Sequence, residues 1–155
     1  MLRAAIESCP ESLWTEDAAR NPFWRVAYHT IFYTHLYLCA SQEAFEPWEN
    51  AREEIQFMGP VPWPPHHTVD PGEPYSREEL LAYHDLVTGR AAALIEATAL
   101  DGPSGFEWIP FSRMELMLYN LRHVQHHAGQ LIDRVGAVTG EGVAWTGFGS
   151  SPTTE

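Results

Sequence analysis

The residues of this chain best suited to chemistry are its histidines, of which there are eight in 155 residues. His123 and His127 stand four residues apart in the segment NLRHVQHHAGQL. Residues four apart on a helix lie on one face with their Cβ atoms about 5 to 6 Å apart, so two imidazoles at this spacing can share one metal ion. Such a pair also occurs on solvent-facing helices, so the pair alone leaves a metal site and a solvated helix face both open.

A third histidine, His29, lies in the apolar segment AYHTIFYTHLYL. An imidazole in such surroundings needs a polar partner, because burying an unpaired polar group costs free energy. In an antiparallel pair of helices, His29 would lie about 10 Å from the start of one and His127 about 14 Å from the end of the other at Gly136, so their heights match. The alternatives are a core His29 bonded to a backbone carbonyl, and His35 as the competing third ligand.

Three long helices are predicted to position these side chains. Asn21 and Pro22 supply a cap and a first helical residue, which predicts a helix from 22 to about 45. The other two helices begin at capping boxes, in which a serine and a glutamate three residues later satisfy each other's backbone N–H groups. These boxes are Ser76–Glu79, with a helix to about residue 100, and Ser112–Glu115, with a helix to about 135 or 138.

The predicted apolar stripe of the last helix consists of Met114, Met117, Leu118, Leu121, Val124, Ala128, Leu131, Ile132 and Val135. This stripe places His123 and His127 on its flank, where the pair could line a groove beside the core. It places His126 on the far side, in solvent.

These elements predict an all-α fold, a four-helix bundle whose fourth helix is a short one over residues 2–9 followed by another turn at ESLW. The proline-rich connection 46–75 could stretch about 100 Å, whereas a helix of some 22 residues is about 33 Å long. The connection can therefore cross the bundle and let its two flanking helices run parallel. We predict one domain over 1–155, with a core of about 12–138 and a glycine-rich tail over 140–155.

The His in an early apolar helix (AYHTIF), the long connection and the terminal HVQHHAGQL together resemble the DinB/YfiT-like superfamily over about residues 12–138. The resemblance implies a four-helix bundle of up-down-down-up topology. It also implies a three-histidine metal site with His29, His123 and His127 as ligands. The sequence departs from the family pattern at Ala128, where the family commonly has Arg in an HRGQ segment, and in its short first helix.

Three neutral imidazoles leave a divalent ion with its charge and open coordination positions, the pattern of a catalytic site, and both zinc and nickel suit such ligands. Because members of the superfamily are similar to bacillithiol and mycothiol S-transferases, the resemblance implies a low-molecular-weight thiol as a substrate. We therefore expect a metal-dependent thiol transferase or hydrolase acting on a small molecule. The alternatives are a non-catalytic metal-binding or stress-related bundle, and an interaction module whose histidines belong to the core.

Composition excludes several other classes of function. The formal net charge of −12 argues against nucleic acid and anionic membrane surfaces, which are bound through basic patches. All nine basic residues are arginine, and the lack of lysine excludes Schiff-base chemistry and the Walker phosphate loop. The two cysteines, Cys9 and Cys39, are too few for a disulfide framework, so we expect a cytoplasmic protein without a spanning segment. A homodimer would suit the exposed aromatic residues expected on the connection.

Overall fold

The computed structural model describes residues 1–16 and 20–145. The described residues form five helices, which are α1 (Leu2–Ser8), α2 (Glu11–Trp14), α3 (Phe23–Leu38), α4 (Arg77–Glu96) and α5 (Arg113–Thr139). They form no strand, only an isolated bridge between Pro103 and Ser112, so the fold is all-α as predicted. No helix in this part of the chain combines the length and the apolar character needed to cross a membrane.

Both predicted capping boxes are present. The Ser76 and Ser112 hydroxyls accept hydrogen bonds from the backbone N–H groups of Glu79 and Glu115, and each glutamate carboxylate accepts from the serine N–H in return. α5 ends at Gly140, whose φ of 72° is the left-handed conformation that glycine adopts readily. The starts of α4 and α5 are therefore set locally, by side chains a few residues apart.

α3 is shorter than predicted, because it ends at Leu38 and not near residue 45. The buried Arg113 guanidinium donates hydrogen bonds to the backbone oxygens of Leu38 and Cys39, and also to that of Ser104. These bonds satisfy carbonyl groups that a helix end leaves without partners. The end of α3 is thus fixed by a contact with the start of α5, which a local pattern does not reveal.

α3 lies in contact with α2, α4 and α5, while α1 packs against α4 and α5. Arg113 at the start of α5 reaches the end of α3, and Arg134 near the end of α5 donates to the Asn21 carbonyl just before α3. α3 and α5 therefore run antiparallel, as the matching heights of the histidines require.

The segment between α3 and α4, residues 39–76, folds back onto the helices. The Trp48 ring stacks on Tyr83 of α4 at 4.6 Å between ring centroids, and Tyr75 stacks on Tyr28 of α3 at 4.9 Å. All four rings are buried in the main hydrophobic core. The connection is consequently part of the packed structure, which matters for the site described next.

Candidate metal centre

Three histidines from two antiparallel helices converge at one point. His29 lies in the second turn of α3, and His123 and His127 lie one turn apart in the middle of α5. The imidazole centroids are 4.7 to 5.0 Å apart, and one ring nitrogen from each residue lies within 4.8 Å of the other two. The structure thus brings together the three histidines that the sequence predicts as ligands, and we call them the histidine triad.

Hydrogen bonds orient two of the three rings. His29 Nδ1 lies 2.6 Å from the Gln56 backbone oxygen. Because a carbonyl oxygen only accepts, His29 Nδ1 carries the proton and its Nε2 presents a lone pair. His127 Nδ1 lies 3.1 Å from Gln130 Oε1, an arrangement that likewise leaves Nε2 of His127 as the free ligand atom. Metal-bound histidines are usually held in this way by a partner on the other ring nitrogen.

The contact between His29 and His123 tests whether a metal ion fits. Their Nε2 atoms are 3.0 Å apart. Two nitrogens on one tetrahedral zinc ion lie about 3.4 Å apart when each bond is about 2.1 Å, so the observed separation needs only a small adjustment. His123 Nδ1 is buried and has no hydrogen-bond partner among the described residues. The two Nε2 atoms face one point, and Nδ1 of His123 has no hydrogen-bond partner among the described residues. This arrangement fits a cation shared by the two rings.

The triad is electrically neutral near pH 7. Burial lowers the pKa of His29 to about 4 and that of His123 to about 3, and each shift is increased by the neighbouring imidazoles. Burial also lowers the pKa of His127. A metal ion binds only the neutral imidazole, so the free protein already holds these ligands in the form that binding requires.

The other histidines lie outside the triad. His35 is buried on α3 with Nδ1 3.2 Å from the Tyr83 hydroxyl, so it is a core residue and not the third ligand. His126 is exposed, as predicted, and so are His66 and His67 of the connection.

The predicted apolar stripe of α5 needs a correction. Of the predicted stripe, Ala128, Leu131 and Val135 are buried, whereas Met114, Leu118 and Leu121 are exposed. The buried face also carries Leu116, Asn120 and His127, which the stripe did not include. His127 therefore belongs to the inner face of the helix, and His123, one turn before it, is half-buried. The prediction counted these three exposed apolar side chains as part of the buried face, and this shifted the predicted centre of the stripe away from the histidines.

Sequence reasoning missed the residues around the triad. Gln130 follows His127 by three positions on α5, a helical spacing that could have indicated the contact. Gln56 acts through its backbone carbonyl, for which no side-chain type gives a signal. Tyr33 lies one turn after His29 and places its ring 4.8 Å from the imidazole of His29 and 5.8 Å from that of His123.

A family model described as the DinB superfamily matches residues 1–131, a range that contains all three triad histidines. No curated protein and no solved structure matches the chain.

Proposed function

This chain belongs to the DinB superfamily, and from that premise we propose that His29, His123 and His127 bind one divalent metal ion, either zinc or nickel. The observation that carries the proposal is the convergence of one ring nitrogen from each histidine within 4.8 Å. The cluster contains no carboxylate and no cysteine among the described residues, and imidazole is a ligand that both metals accept.

We further propose that the protein is a metal-dependent enzyme that transfers a low-molecular-weight thiol to an electrophilic small molecule. A divalent ion held by three neutral imidazoles keeps its full charge and lowers the pKa of a thiol or water bound to it. The chain's own contribution is to hold the ligands: Gln56 and Gln130 fix the ring orientations of His29 and His127. The depressed pKa values keep the ligands unprotonated near neutral pH.

A four-helix bundle of up-down-down-up topology is the architecture that we propose for the chain. Contacts between helix ends support it, since Arg77 at the start of α4 donates to the Cys9 carbonyl just after α1, which indicates that α1 and α4 are antiparallel. Tyr75 and Tyr83 contact Tyr28 and His35 in the same order along the chain, which indicates that α3 and α4 are parallel.

We also propose a homodimer. Met114, Leu118 and Leu121 form an exposed apolar row on α5, with Leu118 54% exposed. Light scattering that gives the mass of two chains, and of one chain for Leu118→Glu, would support this assembly. A monomeric wild-type protein would refute it.

Metal content is the first measurement. Untagged protein is analysed for metals alongside the variants His29→Ala, His123→Ala and His127→Ala, with His126→Ala as the matched control on the same helix. We expect about one zinc or nickel per chain in the wild type and the control, and a loss of most of it in the three triad variants. Folded, metal-replete protein without a stoichiometric ion would refute the metal site.

Catalysis needs a separate test, because an ion that joins α3 to α5 could also serve stability alone. Thiols are screened with electrophiles, using the metal-loaded protein and the His123→Ala variant. Turnover that requires both the thiol and the intact triad supports a transferase. A protein that loses stability on metal removal but shows no thiol-dependent turnover would instead be the non-catalytic metal-binding bundle.

A further inference from the structure

A second feature of the molecule lies directly beside the histidine triad. It is a cavity of about 670 Å³ between α3 and the 39–76 connection, which we call the aromatic pocket. Its lining includes Tyr33, whose ring contacts His29, and Gln56, whose carbonyl bonds to the same imidazole. The pocket and the triad therefore share a wall.

We propose that the aromatic pocket binds a neutral aromatic ring of the substrate and holds it next to the triad. The inference deepens the proposed function, on which it rests for the statement that the triad is where the substrate reacts. The volume falls within the range of about 300 to 1,000 Å³ that small-molecule sites occupy.

The chemical character of the lining argues for a ring. Seven of the lining residues are aromatic, and they come from α3, from the connection and from the segment that precedes α5. They are Phe32, Tyr33, Tyr37, Phe45, Phe57, Trp63 and Trp108. Aromatic side chains attract other rings through stacked and edge-to-face contacts, in addition to the apolar area that they bury. Trp63 contacts Phe57 edge to face, with 5.1 Å between the ring centroids, and both rings form part of the pocket wall.

The charge of the lining argues for a neutral ligand. No arginine and no carboxylate lines the aromatic pocket, although the chain has a formal net charge of −12. Its polar groups are the amides of Gln42 and Gln56 and the phenols of Tyr33 and Tyr37. Burial raises the pKa of Tyr37 to about 12, so this phenol stays protonated and can donate a hydrogen bond. An ionic substrate would find no counter-charge here, whereas a ring with carbonyl or nitro substituents would find donors.

The exposure of the tryptophans locates the entrance. Trp63 of the connection is 56% exposed, and Trp108 of the segment that precedes α5 is exposed to a similar extent. Since a large exposed indole leaves much apolar surface in water, a ring that enters between the two would remove that surface from solvent. The same residues would then report on binding.

Fluorescence titration with N-phenylnaphthylamine, a neutral aromatic probe, tests the proposal. The wild type is compared with Trp63→Ser, Trp108→Ser and Trp145→Ser. Trp145 is the matched control, because it is 77% exposed and does not line the aromatic pocket. We expect saturable binding that weakens at least about tenfold in both pocket variants and not in the control. The sulfonated, anionic analogue of the probe should bind more weakly than the neutral probe.

Equal binding by the wild type and the two pocket variants would overturn the proposal, and so would a preference for the sulfonated analogue. Binding that varies with protein concentration would overturn it as well, because the pocket would then form part of a contact between two copies. Titrations of metal-free and Co²⁺-loaded protein with the probe test the aromatic pocket and the metal site independently of each other. Probe binding that Co²⁺ quenches supports the pocket and its place beside the triad. Probe binding by a protein that takes up no metal supports the pocket and refutes the metal site.

Discussion

Replacing His123 by leucine should stabilise the metal-free protein at pH 5.5 and destabilise the protein in excess metal. In the metal-free protein the substitution removes Nδ1 of His123, which is buried without a partner among the described residues. It also removes the contact between the Nε2 atoms of His123 and His29. Leucine has a similar size and no polar atom, so the comparison isolates the polarity of this position.

The expected magnitude follows from these two contacts and from the pKa of His123. An unsatisfied buried polar atom costs about 1 to 3 kcal/mol; the variant removes one such atom, Nδ1 of His123, but leaves Nε2 of His29 without its partner, so at pH 7.5 the metal-free variant and the wild type should be about equally stable. The pKa of His123 is about 3 in the folded protein, below the ordinary histidine value of 6.5. The unfolded wild type therefore binds a proton as pH falls below 6.5 and the folded wild type does not. This costs the wild type about 1.4 kcal/mol at pH 5.5, and the variant does not bear that cost.

At pH 5.5 metal reverses the order of stability of the two proteins. At a free ion concentration of about 100 times Kd, binding stabilises the wild type by about 2.7 kcal/mol, which exceeds the advantage of the variant. Urea unfolding of both proteins in EDTA and in excess zinc, at pH 7.5 and pH 5.5, measures these differences. His126→Leu, at an exposed position of the same helix, should show no reversal. A variant less stable than the wild type in EDTA at both pH values would refute the reasoning.

Three further predictions concern other parts of the structure. Arg113→Met should lower the free energy of unfolding by about 3 to 5 kcal/mol in urea titrations, because three buried carbonyls lose a charged donor, whereas exposed Arg122→Met should have little effect. Gly105→Ala should lower the melting temperature, because φ is 86° and the new Cβ would lie 1.9 Å from the Ala40 oxygen; Gly89→Ala, with nothing within 4 Å of the new Cβ, should not. Gln130→Leu should weaken zinc binding about 10-fold to 100-fold in chelator competition and lower the free energy of unfolding in EDTA by about 1 kcal/mol, because His127 Nδ1 loses its partner.

The parts of the fold that local chemistry determines could be predicted from the sequence. The capping boxes at Ser76 and Ser112 are satisfied within four residues, and both helices begin where they indicate. The end of α3 depends on Arg113, which is 75 positions away from Leu38, so no local pattern could reveal it. Gly105 is a second such case. A side chain at this position would collide with the backbone oxygen of Ala40, and this tertiary contact is not visible in the local sequence.

The candidate site shows the same division. The spacing of His123 and His127 is a helical one, and their meeting with His29 follows from matching heights on antiparallel helices. The inner face of α5 was predicted only in part: Ala128, Leu131 and Val135 are buried as expected, but the exposed Leu118 and Leu121 resemble core residues by type. Hydrophobicity alone does not distinguish a core face from an exposed apolar row.

The hydrogen bond from His29 to the Gln56 carbonyl ties the orientation of one triad imidazole to the connection between α3 and α4. If an ion binds more tightly when His29 is held in this orientation, then by reciprocity the bound ion strengthens the attachment of the connection by the same coupling free energy. Because Gln56 makes this contact with its backbone, the contact depends on where the connection packs and not on the side chain at position 56. Related sequences could therefore tune their metal affinity by changing how firmly this segment packs, with all three ligands unchanged.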